Sequence, residues 1–325
     1  MNPELIFDIS CPLDFEKKAL EIFKFQFENN LVYRSFCDLL YKHPCDIKKI
    51  KDIPFLPIDF FKSHEIKISS KKTSKIFTSS GTTGSNLSRH FVTDLNLYEK
   101  SFINCFKIFY GNIKEYTILG LLPSYLERNN SSLIYMVNKM IKQSKFPESR
   151  FYLDEIDELK ETILKLEKSK RKTILIGVSY ALLDLIEYHK FNLKYTVVME
   201  TGGMKGQRKE LIKSELHKLL RNGFGVNNIH SEYGMTEILS QAYSKKNGLF
   251  STPPWMNILI RDTEDAQSIL PLNRTGGINI IDLANINSCS FIATMDLGKL
   301  HKNGEFEIMG RFDQSDIRGC NLMVS

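Results

Sequence analysis

Long apolar runs, metal-spaced cysteines, Walker-type glycines and low-complexity tracts are all missing from this sequence, and each absence closes off a class of protein. No segment approaches the roughly 20 apolar residues that a membrane-spanning helix needs. The six cysteines, Cys11, Cys37, Cys45, Cys105, Cys289 and Cys320, include no C-x-x-C pair, which excludes a zinc knuckle or a thioredoxin-type motif. The opening "MNPELIFDIS" lacks the basic start and continuous apolar run of a signal peptide. Reduced thiols and a cytoplasmic location are therefore the expectation. No arginine-rich stripe appears, so no nucleic-acid partner is expected. No repeat or linker marks the chain as a string of separable modules.

What remains is an ordinary globular composition: 42% hydrophobic, 25% charged, net charge +6. The lysines thicken at 48–51, 67–75 and 165–172 without forming a stripe. Such mild basicity suits an acidic substrate and suits a solvated lysine-rich surface equally. Residues 14–42 carry Phe15, Leu20, Ile22, Phe23, Phe27, Leu31 and Phe36 at helical spacing, which predicts one or two helices. In "DIPFLPIDFFK" two prolines break regular structure while apolar side chains ask for burial. The expectation is a helical lead-in, residues 1–72, packed on a main domain of residues 73–325.

Within 73–325, strands are predicted at 116–122, 173–178, 195–199, 277–281 and 291–294. Helices are predicted at 131–143, 156–166, 180–189 and 205–222. Strands spaced by helices indicate an α/β fold with substantial parallel sheet. The stretch from about 250 to 325 reads as a β-rich subdomain.

The stretch "KIFTSSGTTGSNLSRH" holds seven hydroxyl residues and two glycines between Lys75 and His90. Lys75–Phe77 reads as the end of a strand. Gly81 and Gly84 permit backbone conformations that turn several N–H groups toward one point. Thr78, Ser79, Ser80, Thr82, Thr83 and Ser85 add donors suited to a polyphosphate. The G-x-x-x-x-G-K-[ST] pattern is absent. On local chemistry alone, a solvated turn and a phosphate grip both remain open.

"TSSGTTGS" resembles the phosphate-binding loop of the acyl-adenylate-forming superfamily, and three more motifs follow in that superfamily's order. "SEYGMTE" resembles its Y-G-x-T-E motif. The resemblance implies that Tyr233, beside Gly234, lies against adenine, that Thr236 touches phosphate and that Glu237 helps hold Mg²⁺. A carboxylate suits that hard, oxygen-preferring cation. "TMDLG" is similar to the T-G-D stretch, with Met295 in place of glycine, which implies a ribose-binding role for Asp296. "GRFDQSDIRGCN" resembles the hinge motif G-R-x-D and the R-G-x-N of the phenylacetate-CoA ligase branch. Arg311 then reaches the ribose. "METGGMKG" lies where relatives place a glycine-rich turn beside the adenine and acyl pocket, so Gly202 and Gly203 fit a close backbone approach. Glu200 is read as structural.

"IPFLPIDFFKSHEI", "LLPSYLERNNSSLIYM", "GVSYALLDL" and "SEYGMTE" together identify the chain as a member of the acyl-protein synthetase group, LuxE-type, in the phenylacetate-CoA ligase-like branch. The resemblance covers residues 50–325. It implies the large N-terminal-type domain of adenylate-forming enzymes, with mixed, largely parallel sheets and without the small C-terminal lid domain. It further implies ATP-dependent activation of a carboxylic acid, then transfer to a thiol and hand-off to an acyl reductase (LuxC-like). A thiolate is a strong nucleophile toward a mixed anhydride. Cys320, beside Arg318 and Gly319, is the candidate acceptor; a small buried residue is the alternative. Where general relatives follow the loop with Pro-Lys, Asn86–His90 follows here, and Arg89 is the candidate for the missing charge. His64 and His230 are read as structural, and Tyr125, Glu127 and Arg128 as bordering the acyl or acceptor site. An acyl- or aryl-CoA or carrier-protein ligase, or a non-catalytic nucleotide-binding subunit, remains the alternative at this point.

Overall fold

The computed structural model of the chain describes residues 2–79, 87–123, 130–153, 155–202, 208 and 211–311. Helices α1 (Pro12–Asn29) and α2 (Leu31–Leu39) occupy the predicted helical stretch. Asn30 ends the first and caps the second, its Oδ1 accepting the Tyr33 N–H. After Pro54 the chain forms β1 (Leu56–Pro57) and a single turn, α3 (Phe60–Ser63). A hairpin of β2 (Lys75–Thr78) and β3 (Arg89–Val92) follows, then α4 (Leu95–Tyr110). An alternating stretch runs β4 (Thr117–Leu121), α5 (Ser132–Gln143), β5 (Arg150–Phe151), α6 (Ile156–Lys168) and β6 (Thr173–Val178). It continues through α7 (Ser179–Tyr188), β7 (Thr196–Thr201), α8 (Lys213–Phe224) and β8 (His230–Tyr233). Short strands β9 (Ala242–Ser244) and β10 (Leu249–Ser251) lead into β11 (Met256–Arg261), β12 (Thr275–Asp282), β13 (Phe291–Leu300) and β14 (Phe306–Arg311).

The chain divides into two compact units: residues 1–101, 236–240 and 251–325, and residues 102–235 and 241–250. In the second unit β5, β4, β6, β7 and β8 lie side by side and parallel, and β9 adds antiparallel to β8. Every residue of β4 and β6 is buried, the pattern of a parallel sheet covered on both faces. α8 lies hard against α7: a Cβ on Gly223 would come within 2.5 Å of the Ile186 side chain. Gly225, at φ 65°, closes α8 in the left-handed conformation. The strand at 173–178 falls where the apolar run predicts it. The helix expected from 205 starts, among the described residues, at Lys213, because Ile212 is extended.

In the first unit β11 to β14 form an antiparallel meander, and β1 pairs parallel with β13. The predicted 291–294 strand is far longer. Asp-Leu-Gly reads locally as a turn, but pairing with β12 and β14 on both sides carries β13 through to Leu300. β2 and β3 make a separate antiparallel pair, with Thr78 opposite Arg89.

The first unit also contains a buried polar seam. Gln26, fully buried on α1, donates through Nε2 to the Asn285 carbonyl (3.1 Å), the Ile286 carbonyl (3.0 Å) and Ser290 Oγ (3.2 Å). Its Oε1 accepts the Ser290 N–H at 3.0 Å. One side chain thus satisfies a turn of irregular backbone that has no ladder of its own. Gln26→Met keeps the volume and orphans those groups, at about 1–3 kcal/mol for each one left unsatisfied. The expected result is a loss of about 3 kcal/mol, read as a lower urea midpoint at unchanged slope.

Candidate functional site

The hydroxyl-rich stretch runs in sequence from β2 to β3, and two hydrogen bonds join Ser79 to Ser88 beyond the paired strands. The Ser79 N–H donates to the Ser88 carbonyl (3.1 Å), and the Ser88 N–H donates to Ser79 Oγ (3.0 Å). Thr78 ends β2; Ser80, Gly81, Thr82, Thr83 and Gly84 lie outside the described residues. Entering β3, side chains alternate as a strand requires. Ser88 and His90 are buried and Arg89 between them is exposed, its guanidinium 5.6 Å from the centre of the Phe91 ring.

The buried face of β3 meets the Thr236–Ser240 segment, which belongs to the same unit. His90 Nδ1 donates to the Thr236 carbonyl at 2.7 Å. A carbonyl only accepts, so this contact sets the Nδ1–H tautomer of the neutral ring. Asn285 Nδ2 donates to the Glu237 carbonyl and to the Cys289 carbonyl, both at 2.8 Å. Asp282 accepts from the Leu239 N–H (2.7 Å), the Ser240 N–H (3.0 Å) and Ser240 Oγ (2.6 Å). Bonds to the backbone of Thr236, Glu237, Leu239 and Ser240 thus hold an irregular peptide in a fixed place. Burial pushes the His90 imidazole down to about 4, against the pull of Thr236 and Asn285. Neither His90, in the short strand Arg-His-Phe-Val, nor Asn285, in the turn after β12, stands out in the sequence as a supporting residue.

Glu237 is 5% exposed. Burial raises its carboxyl above the usual range, while a hydrogen bond from Ser88 and the charge of Arg311 pull the other way. Ser88 therefore joins the hairpin neck to the motif's carboxylate, a partnership that sequence reading missed. Asp296 on β13 lies opposite Arg311 on β14, with Nε 3.6 Å from Oδ1. Arg311 is mostly exposed and Asp296 mostly covered. A second cation, also unforeseen, is buried here. Arg261 on β11 donates through Nη1 to the Ile278 carbonyl and Asn279 Oδ1, each at 2.9 Å, and through Nη2 to the Thr294 carbonyl at 2.5 Å. Burial pulls its guanidinium down to about 10, opposed by the charge of Asp296. A Cβ on Gly277 would sit 2.5 Å from the Arg261 Cζ. The guanidinium of Arg261 thus uses the space that glycine at 277 leaves.

The second unit holds the other half of the motif. Tyr233 ends β8 half-buried, its ring 6.0 Å from that of Phe250. The bare Cα of Gly234 makes room for a neighbour: a Cβ there would meet Glu232 Oε1 at 2.5 Å. Glu232 Oε2 accepts from Thr201 Oγ1 at 2.6 Å. Gly202 follows β7 at φ 65°, the conformation that glycine adopts freely; Gly203 lies outside the described residues. Glu200 is buried, 3.0 Å from Lys213 Nζ and 3.4 Å from His217 Nε2. Burial pushes the Glu200 carboxyl up, but Lys213, His217 and Ser231 together overcome this and bring it to about 2. Glu232 is pushed the other way, to about 7, by burial and by the Glu200 charge. His230 is held by Tyr110, whose hydroxyl lies 3.0 Å from Nδ1.

Cys320, Tyr125, Glu127 and Arg128 fall outside the described residues. No described group of three or more His, Cys, Asp and Glu side chains could hold a metal by itself. The donor chemistry still fits Mg²⁺, which takes one or two carboxylates and completes its shell with water and substrate phosphate. Glu237 offers a buried carboxylate of that kind, and a cation beside it would offset its burial. No described helix is long and apolar enough to cross a membrane.

Solved structures share this architecture. A 2-hydroxyisobutyryl-CoA ligase, in complex with 2-HIB-AMP and CoA, superposes with a TM-score of 0.68 at 11% identity, over 93% of this chain and 70% of its own. ATP-bound MatB from Rhodopseudomonas palustris matches with a TM-score of 0.54 at 18% identity, over 75% of this chain and 49% of its own. O-succinylbenzoate CoA synthetase (MenE) from Bacillus subtilis, in complex with ATP and magnesium, matches with 0.52 at 17%, over 76% and 52%. The chain spans about half the length of MatB and MenE. No curated protein matches it. The fold is that of the adenylate-forming ligases. Within that class the chain belongs to the acyl-protein synthetase (LuxE) family, whose pattern it matches over residues 8–325.

The carboxylate pair of the second unit sets a pH dependence. Between pH 4.5 and about 7 the unfolded chain has lost the Glu232 proton and the folded protein keeps it, so stability falls as pH rises through that window. Glu200 has the opposite sign: its contribution is present above pH 4.5 and is lost as pH falls toward 2. Glu232→Gln removes the first effect. Urea midpoints from pH 5 to 8 should run flatter in the variant, with a gain at pH 8 of up to about 3 kcal/mol. Parallel pH profiles of variant and wild type are the contrary result.

Proposed function

We propose that the protein uses ATP to activate a carboxylic acid, a fatty acid, as acyl-AMP and then transfers the acyl group to a protein thiol. The observation that carries this reading is Glu237, buried at the neck of the hydroxyl–glycine hairpin and bonded to Ser88. A carboxylate held there suits a phosphate site. Family membership and the order of the motifs support the same reading.

In the first step an oxygen of the acid attacks the α-phosphorus of ATP, the bond to the bridging oxygen breaks, and pyrophosphate leaves. The hairpin hydroxyls, its backbone N–H groups and Thr236 hold the phosphates. Glu237 is the ligand for Mg²⁺, which when bound neutralises phosphate charge. Asp296 accepts from the ribose hydroxyls, with Arg311 beside it, and Tyr233, Gly234 and Gly202 line the adenine. Arg89 supplies positive charge near the loop. In the second step the Cys320 thiolate attacks the acyl carbon, the C–O bond of the anhydride breaks, and AMP leaves with its electron pair. The thioester then passes to a thiol of an acyl reductase (LuxC-like). Consumption of ATP and five free cysteines among the described residues accord with a cytoplasmic protein.

Incubation with ATP, Mg²⁺ and labelled fatty acids should leave a hydroxylamine-labile acyl group on the protein. Cys320→Ser should abolish the label and retain acid-dependent pyrophosphate exchange. Labelling unchanged in Cys320→Ser, or thioester formed only on added CoA, would sink the autoacylation step. Glu237→Gln should lower exchange on the order of 100-fold; exchange at the wild-type rate removes Glu237 from the site.

A further inference from the structure

The strand that carries Asp296 is interrupted where its motif lies. β12 and β13 pair at Asn279 with Ala293 and again at Gly277 with Leu297. One residue of β12, Ile278, therefore lies across from Thr294, Met295 and Asp296. A bulge of this kind bends a strand and re-aims its side chains. It also takes backbone groups out of the ladder, and each buried one must find a partner elsewhere.

Arg261 is that partner. Its Nη2 donates to the Thr294 carbonyl at 2.5 Å, and its Nη1 to the Ile278 carbonyl and to Asn279 Oδ1, each at 2.9 Å. Thr294 Oγ1 donates to the same Ile278 carbonyl (2.9 Å) and accepts the Asp296 N–H (3.1 Å). One guanidinium thus ties the two sides of the bulge together, and the peptide it holds leads straight into Asp296. Two nitrogens serve three acceptors, which suits a planar fork and not the point charge of a lysine. Charge is arranged around the same carboxylate. Arg311, 76% exposed, faces Asp296 from β14. Arg261 is 6% exposed, and the charge of Asp296 acts on it. An ion pair as exposed as that of Arg311 is screened and weakly held, so a ligand can draw Arg311 away. The buried cation stays.

We propose that Arg261 is a positioning residue for Asp296: it pins the bulge at Thr294–Asp296 so that the carboxylate is presented to a vicinal diol. It also keeps a positive charge near that carboxylate, whatever Arg311 then contacts. The diol is the ribose of the nucleotide, a step that rests on the adenylation reading above; the pinning of the bulge does not.

Pyrophosphate exchange driven by a fatty acid, measured with ATP and with 2′,3′-dideoxy-ATP, tests this, because the second nucleotide lacks the diol. The wild type should show a KM for ATP about 10-fold or more below that for dideoxy-ATP, since hydrogen bonds to an ionised group are lost together. In Arg261→Met the KM for ATP should rise on the order of 10-fold toward the dideoxy value, with little change in KM for the acid. A role confined to stability would lower the active fraction, and so kcat, on both nucleotides and leave their KM ratio as in the wild type. That result overturns the proposal. Arg261→Lys keeps the charge without the fork, so its ratio should fall between the two. Should the methionine variant not fold, the lysine variant decides by the same ratio. Hydrogen exchange reads the pinning without nucleotide. The Asp296 amide should exchange several-fold faster in either variant, while amides of the β11–β12 ladder hold; an unchanged Asp296 amide overturns the pinning. Wild-type protein that uses ATP and dideoxy-ATP alike would remove the diol, and with it Asp296 as the ribose acceptor, and the amide would still answer for Arg261.

Discussion

Hydrogen bonds from buried side chains to the backbone of Thr236–Ser240 are the contacts on which the placement of Thr236 and Glu237 depends. The segment is neither helix nor strand, so its peptide groups find no partner in a ladder. His90, Asn285 and Asp282 supply them instead. These three come from two chain segments far apart: His90 lies on β3, and Asp282 and Asn285 stand at the end of β12 and in the turn that follows it. Asn285 is itself under the hand of Gln26, which accepts and donates across the same turn. The helical lead-in therefore does more than cover apolar surface. It fixes the backbone that fixes the motif.

Burial and local cations sort the carboxylates into different states. Glu200 stays ionised because Lys213 and His217 face it. Glu232, against Thr201 and Gly234, is buried beside the Glu200 charge and holds its proton up to about 7. Glu237 is also raised by burial, opposed by Ser88 and Arg311. A divalent cation meeting Glu237 would find a carboxylate that gains from its arrival. Arg261 plays the converse part beneath Asp296: it is a cation placed inside a sheet, held by two carbonyls and an amide oxygen. The absence of a side chain on Gly277 is what leaves it space.

Much of the architecture is visible before any coordinates. β6 matches its apolar run residue for residue, and α5, α6 and α7 fall within two residues of their periodic stretches. Fully buried strands and amphipathic helices announce themselves because each residue's burial follows a local period. The strands β8 to β11 and β14 do not, being short or mixed in polarity. β13 runs past its own turn signal because neighbours pair with both of its edges. The same holds for the chemistry-bearing residues. Tyr233, Thr236, Glu237 and Asp296 sit in recognisable motifs; Ser88 and His90 close the hydroxyl-rich stretch with no mark of what they bond, and Asn285 and Arg261 sit in no motif at all.

By itself the sequence determined the α/β class and the order of the chemistry-bearing strings along the chain, because those are properties of local composition and spacing, and the likeness of those strings to known motifs pointed to the family. Only the tertiary structure decided which side of β3 faces the motif, and it turned Ser88 and His90 inward and Arg89 out. Only the tertiary structure set a buried arginine under Asp296 and paired two glutamates so that one keeps its proton. The physical reason is common to all of these. Desolvation and hydrogen-bond satisfaction depend on which groups are brought together from distant positions, and a linear pattern carries no record of that meeting.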